Sequence, residues 1–244
     1  MNNKKYNISF FCPAYYDEKN IEKVIEKANH LFSSCAKDYE IVIVNDGSPD
    51  KTGEIAEMLA KKYEKVRAVH HETNKGYGAA IKTGFREAKK FEYVCFTDGD
   101  DQYDVLELQN MLRLLNRYDI IISFRYEKAY SAVRVLISYI YNVLLRFLFR
   151  SPFRDISCSL KIFSREVIDR IEIESDSPFV DAEIIFKSML MGFHIGEVGI
   201  NSYPREFGKS TSTSLTNIML TLKDIFRIRK KLFMNKKDVE KKIS

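Results

Sequence analysis

Apolar positions along the first hundred residues follow two alternating patterns. Short runs rich in β-branched and aromatic residues, at Tyr6–Cys12, Glu40–Val44, Val66–His70 and Tyr93–Thr97, are too brief for helices and read as strands. Between them the apolar residues switch to helical spacing. Ile21, Val24, Ile25, Ala28, Leu31 and Phe32 mark one inner stripe, and Ile55, Met58, Leu59 and Tyr63 a second. Ala79–Lys90 predicts a third helix, and Ser48 is placed to cap the second with Pro49 at its first position. Repeated βα units with short apolar strands predict an α/β nucleotide-binding fold, with a mostly parallel sheet covered by helices on both faces.

The second half reads differently. Val133–Phe149 is apolar except for Arg134, Ser138, Asn142 and Arg146, which with Arg150 recur at every fourth position and form one drifting polar stripe. A helix of that length spans about 25 Å. This falls short of the roughly 30 Å hydrocarbon core, and arginines inside a bilayer are costly. The pattern predicts a helix lying in a membrane interface or against another helix; a buried core helix fits the sequence nearly as well. Leu215, Ile218, Met219, Leu222, Ile225 and Phe226 predict another amphipathic helix, leading into a basic tail.

Charge placement sharpens this picture. The net charge of the 244 residues is +5. Between Lys223 and Lys242, nine basic residues oppose three acids (Asp224, Asp238 and Glu240), so that stretch carries +6 and the remainder about −1. A neutral body with a cationic end points to an anionic partner surface, lipid or nucleic acid. No base-stacking aromatic pattern accompanies the charge, so no nucleic-acid partner is expected. Composition, at 45% apolar and 30% charged, excludes global disorder. No signal peptide is visible at the amino terminus, which favours the cytosol. Cys12, Cys35, Cys95 and Cys158 lie far apart without a CxxC, and read as reduced, mostly buried thiols.

The candidate chemistry sits where predicted strands end. Thr97-Asp98-Gly99-Asp100-Asp101-Gln102 follows the fourth strand and places clustered carboxylates at the carboxyl edge of the sheet, where open α/β sheets hold ligands. Such carboxylates repel one another unless a cation sits among them, and Mg²⁺ takes one or two protein carboxylates plus phosphate oxygens. The other strands end in Pro13-Ala14-Tyr15-Tyr16-Asp17-Glu18, Asn45-Asp46-Gly47-Ser48 and Asn74-Lys75-Gly76-Tyr77-Gly78. Tyr15 could pack on a base, Asp46 could accept hydrogen bonds from a base or ribose, and Gly76 and Gly78 permit close backbone approach to a nucleotide. Of the four histidines, a structural His70 and a solvent-facing His71 are expected.

The segments Phe11–Glu18 and Ile41–Thr52, followed by Asp98–Gln102, resemble the motifs of inverting family 2 glycosyltransferases of GT-A fold. Within that family they are most similar to the dolichol- or polyprenyl-phosphate mannosyltransferase branch. The likeness runs from Ile8 to Ser210 and implies a catalytic domain over residues 1–212, with an amphipathic helix and basic tail over 213–244. It implies that Pro13, Ala14, Tyr15, Glu18, Asp46, Lys75 and Gly78 bind the nucleotide donor with Asp98 close by, and that Asp100 and Gln102 hold Mg²⁺ or Mn²⁺. Ser123-Phe124-Arg125, Arg134–Ser138, Asp155–Leu160 and Arg205–Ser210 resemble later family motifs, although Thr211 stands where a lysine belongs and Lys209 could compensate. The resemblance therefore implies an acceptor-phosphate site made by Arg125, Arg134, Ser138 and Arg205, and a catalytic set of Asp98, Asp100, Arg125 and Arg205.

What it implies as a whole is sugar transfer from a GDP- or UDP-sugar to a polyprenyl or dolichyl phosphate. The enzyme would sit peripherally on the cytoplasmic face, with an anionic membrane surface and a separate membrane protein as partners. A phosphate monoester, with a second pKa near ~6, is already nucleophilic at neutral pH. Such an acceptor needs cations more than a base, and guanidinium forks suit phosphate oxygens. The alternative is a hydroxyl acceptor in cell-surface polysaccharide or glycolipid synthesis, with Asp181 or Glu183 as the base it would require.

Overall fold

The computed structural model describes residues 5–127, 132–207 and 214–243, with side chains in the last helix described as far as Phe233. The first half alternates β1 (Asn7–Ala14), α1 (Ile21–Cys35), β2 (Asp38–Asn45), α2 (Thr52–Lys62), β3 (Val66–His70), α3 (Tyr77–Glu87) and β4 (Tyr93–Phe96). After a 3-10 turn at Val105–Glu107 come α4 (Leu108–Leu112), β5 (Ile120–Arg125), α5 (Ala132–Phe149), β6 (Lys161–Ser164), α6 (Arg165–Arg170), α7 (Val180–Leu190), β7 (Ile195–Ile200) and α8 (Leu215–Ile243).

One seven-stranded sheet runs in the order β3-β2-β1-β4-β6-β5-β7. Its neighbours pair in parallel except at β6, which is antiparallel to both β4 and β5. The predicted mixed, mostly parallel α/β fold is therefore what forms. Side-chain alternation along the strands feeds two cores. Ile8, Phe10, Cys12, Ile41 and Ile43 pack with the buried stripe of α1, while Phe11, Val42, Val44 and Phe96 pack with α3, α7 and the end of α5. Register matters most for function. Ala14 pairs with Asn45, Asn45 with His70 and Phe11 with Phe96, so the carboxyl ends of β1 to β4 lie side by side.

The strand predictions fall within two residues of the observed ends, and β3 matches at both. α1 buries the stripe expected of it. α2 does not start as predicted: it begins at Thr52 without a side-chain cap, while Ser48 bonds Asp50 and accepts from the Tyr16 amide. Its inner face is Thr52, Ala56 and Leu59, and Met58 is exposed. The four cysteines are free thiols, three of them buried.

α5 presents much of its apolar face outward and buries its end. Asn142 on its polar stripe is buried and takes the Ile156 amide, whereas Val133, Leu136, Tyr139, Ile140, Val143 and Phe147 are exposed. By length and composition it is the one helix among the described residues apolar enough to cross a membrane. Its end, however, belongs to the core: Leu145, Leu148 and Phe149 pack against Phe179 and Phe186. α8 is likewise no detached tail. Ile225 and Ile228 are fully buried, Asp224 accepts from the Ser177 amide, and Arg227 and Lys231 bond to Glu174.

Phe11 stacks on Phe96, which stacks in turn on Phe163, and Gly84 of α3 lies flat on the Phe11 ring. A Cβ on residue 84 would overlap that ring. Gly84→Ala is expected to destabilise the fold by about 1–3 kcal/mol through overpacking, read as a lowered urea midpoint with an unchanged m-value.

Candidate active site

The loops after β1 to β4, together with the stretch after β7, build one polar site at the carboxyl edge. Gly99 donates its amide to the Pro13 carbonyl, and Asp46 donates its amide to that of Ala14, so the Asp-x-Asp turn and the Asp46 loop are both fastened to the end of β1. Tyr15 and Tyr16 pack edge-on, and Tyr16 adopts a left-handed φ of 58° as the chain turns towards α1. Asp17 is buried and accepts from the Tyr15 amide. Glu18 accepts from the Lys51 amide, tying this loop to the start of α2.

Asp100 and Gln102 are both buried. Asp100 Oδ1 accepts from the Gln102 amide at 3.2 Å, and Gln102 Nε2 donates to the Tyr203 carbonyl at 3.3 Å. Arg205 reaches the same place from the stretch after β7. Its Nε and Nη2 donate to Asp100 Oδ2 at 3.2 and 2.8 Å, and Nη2 lies 3.5 Å from Asp17 Oδ1. Asp101, in contrast, turns outward at φ 53° and pairs with Lys23 and Lys27.

Crowded acids carry an electrostatic penalty that shows in their proton affinity. Burial, and then the charge of Asp100, pushes Asp17 up to about 7. Burial, then Asp100 and Asp181, push Asp98 up to about 7 as well. Asp98 Oδ1 is buried with no hydrogen-bond partner. Among the described residues no three His, Cys, Asp or Glu side chains gather as a metal cage. Asp100 with Gln102 nonetheless suits a hard cation that draws its remaining ligands from a substrate diphosphate, and the orphaned Asp98 oxygen marks a site short of positive partners.

Several expected ligands turn out to serve their own chain. Asp46 accepts from His71 Nδ1 at 2.6 Å, and from the amides of Lys75 and Gly76 at 2.9 Å each. Both carboxylate oxygens thus anchor the 74–76 loop, and the Lys75 side chain is left exposed. His71 is not solvent-facing: it is buried between Asp46 and Thr83, whose hydroxyl lies 2.9 Å from Nε2. His70 is structural, bridging Asn45 and Glu57. Gly78 lies close against its own chain: a Cβ there would lie 2.5 Å from the Asp176 carbonyl carbon.

Arg125 departs furthest from its expected role as an acceptor ligand. Its Nε and Nη2 form a buried two-point ion pair with Asp155 at 2.6 and 2.8 Å, and Nη1 donates to the Tyr103 hydroxyl. The fork expected to hold a phosphate is filled by a carboxylate. Arg134 and Ser138 lie half-buried on the first turns of α5, and Lys209 and Thr211 fall outside the described residues.

The candidate bases are also committed. Asp181 accepts from the fully buried Lys161 at 2.9 Å and from the Tyr77 hydroxyl at 3.2 Å. Glu183 accepts from the Glu174 and Ser175 amides and from Lys187. Sequence reasoning passed over Asp17, His71 and Lys161. Asp17 stood inside a motif already quoted, but nothing in the chain announces that Lys161 lies beneath Asp98 and Asp181.

A GT-A-type sheet with an Asp-x-Asp turn at its carboxyl edge defines a nucleotide-sugar transferase class of protein. The sequence matches the family description "Glycosyl transferase family 2" over residues 9–172, and the chain belongs to that family. It is 28% identical over 208 residues to Glycosyltransferase AglD of Haloferax volcanii, covering 81% of this chain and 33% of that one. It is 32% identical over 209 residues to Dolichyl-phosphate beta-glucosyltransferase ALG5A of Trichomonas vaginalis, covering 79% and 64%. The chain thus spans a third of AglD and just under two thirds of ALG5A. Its fold is shared with glucosyl-3-phosphoglycerate synthase from Mycobacterium tuberculosis, solved with Mn²⁺, UDP and phosphoglyceric acid: TM-score 0.71, 18% identity, 93% of this chain and 78% of that one.

Two outcomes follow from the site's electrostatics. Arg125→Ala removes the two-point cationic partner of buried Asp155 and should cost about 3–5 kcal/mol, whereas the double change Arg125→Met/Asp155→Leu should recover most of it in urea unfolding. Because Asp17 holds its proton in the fold up to about 7, the folded state binds protons that the unfolded chain has released. Stability of the metal-free protein therefore falls as pH rises from about 4 to about 7. Asp17→Asn should flatten that slope in urea midpoints compared between pH 5 and pH 7.5.

Proposed function

We propose that this chain transfers a sugar from a nucleotide-sugar donor to an acceptor, with Mg²⁺ or Mn²⁺ held by Asp100 and Gln102. The observation that carries the reading is the convergence of Tyr15, Asp17, Asp98, Asp100, Gln102 and Arg205 at one sheet edge, with Arg205 on Asp100 at 2.8 Å. The cation, when bound, neutralises charge developing on the departing diphosphate. Pro13–Glu18 and the 74–76 loop anchored by Asp46 form the walls against which the nucleotide lies. UDP-sugars lead the donor choices because the structural relative was solved with UDP. The sugar stays open between glucosyl and mannosyl, since ALG5A is named for glucosyl transfer and a relative from Mycolicibacterium smegmatis, 27% identical over 210 residues, is named polyprenol monophosphomannose synthase.

The acceptor has two readings. A hydroxyl-bearing acceptor is the broader one, supported by the phosphoglyceric acid in the structural relative. Polyprenyl or dolichyl phosphate is the narrower one, supported by the name of ALG5A. Two features of this chain favour an acceptor that is already anionic and lipid-borne. Asp181 and Glu183, the carboxylates best placed in the sequence to act as a base, are tied to Lys161 and Lys187. The outward apolar face of α5, with Arg134 and Ser138 near its start, fits a peripheral position on the cytoplasmic face of a membrane.

The test incubates the purified chain with Mn²⁺, a panel of UDP- and GDP-sugars, and either a short polyprenyl phosphate or phosphoglycerate. One donor should yield a lipid-linked sugar, and Asp100→Asn should lower the rate by about 10²-fold or more. Transfer to phosphoglycerate alone, unaffected by Arg134→Ala and Ser138→Ala, would select the hydroxyl reading. Absence of transfer and of nucleotide binding with every donor would reject both.

A further inference from the structure

We infer that Arg205 is a built-in counter-cation on the carboxylate that would hold the metal, and that it must leave Asp100 for a divalent ion to bind there. The inference rests on the metal reading above and goes beyond it, because it assigns Arg205 two alternative partners instead of a fixed acceptor-binding role.

Three observations carry it. First, Arg205 is the only basic side chain among the described residues in ion-pair contact with Asp100 or Asp17, and both of its contacts with Asp100 fall on Oδ2. Neighbouring Asp101 has its own lysines, so the charge balance of the turn is divided: the outer acid is served by α1 and the inner acids by Arg205. Second, the segment carrying Arg205 is fastened to the metal turn itself. Tyr203 donates its amide to the Gln102 carbonyl at 2.9 Å, Gln102 Nε2 donates to the Tyr203 carbonyl, and Tyr103 pairs with Ser202. The guanidinium is therefore held within reach of the carboxylates and needs only side-chain rotation to leave them. Third, Arg205 is the more exposed member of each pair, at 16% against 9% for Asp100 and 5% for Asp17. The arginine is thus the member of each pair nearer to solvent.

A divalent ion and a guanidinium on one carboxylate oxygen repel each other at contact distance. The ion alone must therefore break the Arg205 contacts without compensation. A nucleoside diphosphate changes that balance, because its phosphate oxygens offer the released guanidinium a two-point partner. Metal and diphosphate are then positively coupled through one side chain, each making the other's binding more favourable. Metal alone should bind weakly.

Mn²⁺ binding to the full chain, followed by the electron paramagnetic resonance signal of free Mn²⁺, tests this without turnover. Wild type, Arg205→Gln, Arg205→Lys and Asp100→Asn are each titrated with Mn²⁺ alone and with UDP or GDP present. Arg205→Gln should bind Mn²⁺ alone about five-fold or more tightly than wild type, and lose most of the gain that the diphosphate gives wild type. Arg205→Lys keeps a cation and should remain near wild type. Equal or weaker Mn²⁺ binding by Arg205→Gln would overturn the inference, as would tightening by Arg205→Lys to the same extent. If Asp100→Asn bound Mn²⁺ as wild type does, the ion would not be on Asp100 at all, and the functional reading itself would fall.

Discussion

The structure turns on a charge problem at one edge of its sheet. Asp17, Asp98 and Asp100 are brought together out of water, and their mutual repulsion must be answered by something positive. In the folded chain Arg205 answers it for Asp100 and reaches towards Asp17, while Asp98 keeps one oxygen without a partner. Burial first, and then the neighbouring carboxylate charge, push Asp17 and Asp98 both up to about 7, so proton uptake meets the rest. A fold that tolerates this arrangement gives up stability at the place where a cation and a diphosphate would restore it.

The rest of the architecture supplies rigidity around that edge. Parallel register sets the ends of β1 to β4 level, and main-chain bonds from Gly99 and Asp46 to β1 lock the turns that follow. Beneath them lie two buried ion pairs, Arg125 with Asp155 and Lys161 with Asp181. Neither pair is a strong stabiliser compared with apolar packing. Each fixes the start or end of a strand that borders the site. The Asp46–His71–Thr83 chain does the same for the 74–76 loop.

On the far side, the loop Glu174–Ser177 joins surfaces that the sequence keeps apart. Asp176 accepts from the Gly78 amide and pairs with Lys82, whereas Glu174 holds Lys231 and Arg227 of α8. The first turns of α3 and the basic helix thus rest on one short segment. α5 exposes an apolar stripe, and α8 exposes Leu215, Met219 and Phe226.

Alternating strand and helix periodicity was enough to specify the α/β sheet, because period-two and period-3.6 patterns depend on local geometry alone. The Asp-x-Asp turn and the β1 and β2 loops were legible for the same reason: short polar clusters after apolar strands mark the ligand edge of a parallel sheet. The burial of Asn142 on α5 and of Asp224 on α8 was not, since an apolar stripe does not say which side the protein occupies. Nor could the sequence assign partners to charged side chains. Arg125, Asp46 and Asp181 read as ligands because each type can bind phosphate, base or proton, and only the fold brought Asp155, His71 and Lys161 against them. Local pattern determined the elements and the edge; long-range contact decided which charges remain available there, because Coulomb partners far apart in sequence meet only when the sheet closes.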